Sequence, residues 1–99
     1  MKKIISYLGF AKKSNNMILG QTPLKYCTKK LYLIMVCNTA SENLKNLANN
    51  IAKKHDCSVI VTSEPLSNLI NVNDIKIIGL TDINLSEAII NNKEKINIG

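Results

Sequence analysis

A chain of 99 residues with 45% hydrophobic side chains is long enough for one modest core and short for two domains. Its three cysteines, Cys27, Cys37 and Cys57, form no CxxC pair and leave one thiol over in any pairing, so they read as reduced thiols of a cytosolic protein. The net charge of +6 is uneven: seven lysines and no acid lie up to Ala40, and six lysines face seven acids beyond it.

The opening "MKKIISYLGFAKK" sets lysines before an apolar stretch, as a secretory leader would. Lys12 and Lys13 interrupt that stretch and no small-residue cleavage site follows, so a leader is not expected. Ile4, Ile5, Leu8 and Ala11 fall at helical spacing and predict a first helix ending near Lys13. Ser14-Asn15-Asn16 reads as a turn and Met17–Leu19 as a short strand.

The stretch "GQTPLKYC" then reads as a tight turn into a helix. Gly20 supplies a backbone conformation closed to other residues, or lets a partner approach the main chain. Thr22 is the expected N-cap, and Pro23 suits the first helical position. Such a start favours anions.

"LYLIMVC", Leu31 to Cys37, predicts a strand buried on both faces, far too short to span a bilayer. Thr39 and Glu42 stand in capping-box spacing before a helix with Leu44, Leu47, Ala48, Ile51 and Ala52 on one face. "SVIVT" predicts a strand, "SEPLSNLI" a loop and short helix, "IKIIGLT" the last strand and "LSEAIINN" a closing helix. Strands alternating with helices argue for a layered α/β domain, with helices on both faces of a small sheet. A soluble cytoplasmic protein is expected.

Signatures of catalysis are thin. Gly20 and Gly79 stand alone, so neither a dinucleotide fingerprint nor a phosphate-binding P-loop is present. His55, the one histidine, follows Lys53-Lys54 near a helix end, where an imidazole meets the helix dipole favourably. It has no cysteine or acid partners at metal-ligand spacing, and Cys57 beside it lacks a third, orienting group. The acids are scattered, so no enzyme, metal or organic cofactor is implied.

Nucleic acid is the better fit for the charge. The lysine-rich first forty residues contain the turn at Gly20, and together they suggest a phosphate-rich partner. No arginine occurs, which removes the bidentate fork used on guanine edges and leaves lysine point charges. Tyr7, Phe10, Tyr26 and Tyr32 are spread over different elements and form no stacking platform. Recognition by backbone groups and a few polar side chains suits structured RNA.

The pieces "LGFAKK", "NTASEN" and "IIGLTD", in this order and spacing, resemble the small bacterial YlxQ-type proteins. Those belong to the kink-turn-binding ribosomal protein superfamily (the L-seven-Ae and L-thirty-e ribosomal proteins). The resemblance runs from about Tyr7 to Ile90. It implies a three-layer α/β/α sandwich with a mixed, four-stranded sheet, and RNA binding without catalysis. It further implies that Gly20 is the close-approach glycine, Gln21 and Thr22 the polar readers and Lys25 a phosphate or base contact. Asn38 matches a polar position beside the same RNA surface, and the loop of Ser63 to Ser67 with Leu66 matches one that packs on an unstacked nucleotide. Lys12 and Lys13 would add attraction to the RNA backbone.

The chain departs from that pattern where Gln21, Thr22 and Pro23 replace the Asn-Glu or Lys-Gln pair that usually follows the glycine. The segment from Gly20 to the central strand is also shorter than in the family, and Ser67 or Asn68 stands where a glycine is common. A monomer on structured RNA, associated with the ribosome or a translation factor, is the expectation. The competing class is a protein-interaction module of the translation machinery, which would show an exposed apolar patch away from Gly20.

Overall fold

The computed structural model of the chain describes residues 2–62, 66–70, 72 and 74–91. In chain order these form α1 (Lys2–Lys13), β1 (Met17–Leu19), α2 (Gln21–Lys25), β2 (Leu33–Cys37) and α3 (Glu42–His55). There follow β3 (Ser58–Thr62), α4 (Leu66–Ile70), β4 (Ile77–Leu80) and α5 (Ile83–Asn91).

One four-stranded sheet runs in the order β1-β4-β2-β3. β2 and β3 are parallel, whereas β4 is antiparallel to both its neighbours, with Ile18↔Gly79 and Ile34↔Gly79 in register. β2 is buried along its whole length, as a central strand covered on both faces must be. Its side chains alternate between two cores. Leu33, Met35 and Cys37 face α1, α4 and α5 together with Leu8, Leu66 and Ile89. Ile34 and Val36 face α2 and α3 together with Leu24, Ala48 and Ile51. The expected three-layer α/β/α sandwich with a mixed four-stranded sheet is therefore the fold. None of the helices is long and apolar enough to cross a membrane among the described residues.

Several boundaries differ from the sequence pattern for local reasons. Leu31 and Tyr32 lead into β2 rather than belonging to it: Leu31 N–H donates to His55 Nδ1 at 3.2 Å, and Tyr32 N–H donates to the Leu80 carbonyl at 2.9 Å. The cap of α3 is Ser41 and not Thr39, because a turn in which Ala40 N–H donates to the Cys37 carbonyl delays the helix. Ser41 Oγ accepts from Leu44 N–H at 3.1 Å, while Thr39 Oγ1 lies 3.0 Å from Cys37 Sγ. α5 starts early, at Ile83, since Asp82 Oδ1 accepts from Leu85 N–H at 3.1 Å. None of the three cysteines is in a disulfide, and only Cys37 is buried.

α1 and α3 end alike. Asn15 and Asp56 take left-handed conformations, at φ of 61° and 53°, and the following N–H groups of Asn16 and Cys57 donate back to Ala11 and Ala52. This pairing satisfies last-turn carbonyls that the helix itself leaves free.

Gly79 is the close-approach glycine of the sheet. A Cβ there would overlap Leu24 Cδ2 and lie 3.0 Å from Leu31 Cδ2. The missing side chain lets Leu24, fully buried, anchor α2 directly on β4.

His55 differs from a cation meeting the helix dipole. Its Nδ1 is an acceptor, so the imidazole must be neutral to keep the bond from Leu31. Burial, then the charges of Lys54 and Lys30, hold its pKa below the ordinary 6.5. The unfolded chain binds this proton more readily than the folded one, so His55 costs no stability above the ordinary histidine pKa. Stability falls as pH drops below it. A thermal midpoint measured from about pH 8 down to about pH 5 should decline at the acid end, and His55→Asn should remove part of that decline.

Candidate nucleic-acid interface

β1, β2 and β3 run in the same direction, so their carboxyl ends meet at one edge of the sheet with the amino end of β4. Backbone hydrogen bonds tie that edge together: Gly20 N–H to the Ile77 carbonyl at 3.0 Å, Cys37 N–H to Lys76 at 2.8 Å, and Asn38 N–H to Thr62 at 2.9 Å. Gly20, Lys76 and Asn38 therefore stand in a row, with Gln21 and Thr22 stepping out at the β1 end.

Gly20, not Thr22, is the N-cap of α2, and it makes no side-chain cap bond. Its φ of 89° and ψ of 163° are open only to glycine in practice, whereas the nearest atom to a Cβ there would be Pro23 Cδ at 3.9 Å. The turn itself thus requires the glycine, and the close approach expected of Gly20 is not filled by any part of the chain. Thr22 lies inside the helix because the sharp bend at Gly20 already starts it at Gln21. With five residues, α2 has too little aligned dipole to bind an anion by itself.

Gln21, Thr22 and Lys25 are all exposed. Their spacing of three and four residues puts them on one face of α2. Lys25 Nζ lies 5.9 Å from the centre of the Tyr26 ring, which is 72% exposed. Asn38 is exposed at the end of β2, and its Oδ1 is 3.7 Å from Cys37 Sγ. Burial pushes the Cys37 thiol up, but hydrogen bonds from Thr39 and Leu66 and the charge of Lys76 outweigh it and leave the thiol below its ordinary pKa.

A shallow cleft of about 280 Å³ opens beside Gly20 and Gln21, walled by Ser41, Leu44, Asp74 and Lys76. It is at the small end of what encloses a ligand. Among the described residues no group of histidines, cysteines and acids is placed to hold a metal ion.

Lys12 and Lys13 are not brought to this edge, and Leu66 reaches it only through its backbone, beside Cys37. Leu66 is fully buried in the core and starts α4, so its side chain packs under the sheet and offers no surface to a nucleotide. Of the loop around it, Ser63 to Pro65 lie outside the described residues. Lys12 and Lys13 end α1 before the turn into β1, at the opposite edge of the sheet, and Lys12 Nζ donates to the Ile70 carbonyl at 3.5 Å. The length of β1 with its flanking residues, roughly 13 Å, separates them from Gly20.

Lys76, in contrast, belongs to the edge, and neither it nor the exposed Tyr26 beside Lys25 is singled out by the sequence pattern. Lys76 sits within a segment that reads as strand, and only the antiparallel return of β4 sets it beside Cys37. Tyr26 reads as helix, and it is released to solvent because α2 stops at Lys25.

Neither a family profile nor a curated protein matches this chain. What the fold defines is a class, the small α/β/α sandwich with a mixed sheet. Among solved structures it is similar to a protein of unknown function from Bacillus halodurans, with a TM-score of 0.75 and 18% identity over 90% of this chain and 94% of that one. At that identity the likeness speaks for the fold alone.

Replacing Gly20 by alanine forces a side chain into a conformation that costs about 1–3 kcal/mol. Gly20→Ala should lower the stability measured by urea unfolding by that amount, although no atom blocks the new methyl group.

Proposed function

We propose that this chain is a non-catalytic RNA-binding protein that docks on structured, kink-turn-like RNA through the edge formed by Gly20, Gln21, Thr22, Lys25, Asn38 and Lys76. The observation that supports this most is the convergence of one glycine-bent turn, three exposed polar residues on one face of α2, and Asn38 with Lys76 along the same edge. The resemblance to YlxQ-type members of the kink-turn-binding superfamily assigns the same turn to the RNA, and cytoplasmic, ribosome-associated work belongs to that reading.

Physically, the free N–H groups of Gln21 and Thr22 and the Gln21 amide supply hydrogen bonds to base edges and phosphate oxygens. Lys25 and Lys76 supply point charges. Glu42 and Asp74 stand close by, so the edge carries little net charge and its contribution is positioning more than bulk attraction. Lys12, Lys13 and the buried side chain of Leu66 have no part in this contact.

A second reading, a protein-interaction module of the translation machinery, is favoured by Phe10 on α1, which is 62% exposed and lies away from the Gly20 edge. Titration against a kink-turn RNA and a control with its sheared G·A pairs replaced separates the two. RNA docking at the edge gives tighter binding to the kink-turn, lost in Lys25→Ala by about tenfold, the value of one contact of about 1.4 kcal/mol. Equal binding to both RNAs, or a preference that survives Lys25→Ala and Gln21→Ala, contradicts the reading.

A further inference from the structure

Three lysine pairs, Lys12-Lys13, Lys29-Lys30 and Lys53-Lys54, precede β1, β2 and β3 respectively. Because those three strands run in one direction, all three pairs arrive at the same sheet edge, the one opposite Gly20. One pair ends α1 in one helical layer, one ends α3 in the other layer, and the third lies in the chain leading to the central strand. β1 and β3 are three strand spacings apart in the sheet order, which spreads the pairs over roughly 14 Å.

Two of these ammonium groups are engaged with the fold: Lys12 Nζ donates to Ile70, and Lys30 Nζ donates to the His55 carbonyl. Lys13, Lys29, Lys53 and Lys54 are exposed. The described acids at this edge are Asp56 and Asp82, and Asp82 is occupied by Leu85 N–H and the Asn16 amide. Complementing the dipoles of α1 and α3 accounts for lysines in two last turns. It does not account for Lys29, which belongs to no helix.

We infer that this edge is a second nucleic-acid contact, a lysine rim that binds the phosphates of duplex RNA without reading sequence. The rim offers point charges spread over roughly 14 Å, wide enough to meet several phosphates of an A-form duplex, whose narrow major groove leaves the backbone as the main charged surface. That is the equipment for backbone neutralisation. Separation of the two edges by the length of the sheet means that an RNA element seated at Gly20 leaves the rim free for another helical segment, of the same RNA or a second one. The inference does not depend on the reading of the Gly20 edge.

The test is binding of the full chain to a blunt RNA duplex of about 16 base pairs, with no internal loop, across a salt series. Lys29→Glu/Lys53→Glu/Lys54→Glu should weaken binding at least tenfold at about 0.15 M salt and flatten the slope of log K against log[salt] by about 2 to 3. The milder Lys29→Gln/Lys53→Gln/Lys54→Gln, which keeps side-chain length and puts no acid at a helix end, should flatten it in the same direction. No duplex binding at about 50 mM salt, or an unchanged slope in both variants, overturns the inference. So does binding to anionic lipid vesicles without binding to the duplex. The duplex contains no sheared G·A pair, so this result and the kink-turn preference succeed or fail separately.

Discussion

β4 runs between β1 and β2 and against both, and its hydrogen bonds on either side leave β1, β2 and β3 pointing one way. From that constraint the layout of the surface follows. Whatever comes after β1, β2 and β3 gathers at one edge, and whatever comes before them gathers at the other. The polar turn residues Gly20, Gln21 and Asn38 belong to the first group, and the paired lysines to the second. Lys76 joins the first group because β4 is reversed, so the residue before it lands where residues after the others do.

Two glycines then fix the geometry of the polar edge for different reasons. Gly20 is needed for its backbone angle, since there is room for a side chain but no relaxed way to place one. Gly79 is needed for space, since Leu24 and Leu31 occupy the volume where a side chain would sit. A helix of five residues has little stability of its own. α2 is held instead by Leu24 on β4 and by the bend at Gly20, which is what keeps Gln21, Thr22 and Lys25 on one outward face.

Much of this was legible in the sequence. The alternation of β2 between two cores shows as a continuous apolar run, and the inward face of α3 as a regular spacing, because both depend on periodicity along a short stretch. Caps were harder. Thr39 and Ser41 are equally good N-cap residues, and the choice between them rests on the turn made by Ala40. Position relative to the sheet was not legible at all. Lys12 and Gly20 are close in sequence but lie at opposite ends of β1, and Leu66 looks like a loop residue until the sheet gives it a core to enter. The asymmetry of charge is plain along the chain, yet four of the seven lysines before Ala40, namely Lys12, Lys13, Lys29 and Lys30, lie at the edge without the turn.

The central claim is that the carboxyl-end edge of the sheet meets RNA. The most direct measurement is a two-dimensional amide NMR titration of the isotope-labelled protein with a kink-turn RNA. The account predicts that the backbone signals of Gly20, Gln21, Thr22, Asn38 and Lys76 shift or broaden together as the complex forms. Saturation with RNA while those five signals stay in place would contradict it.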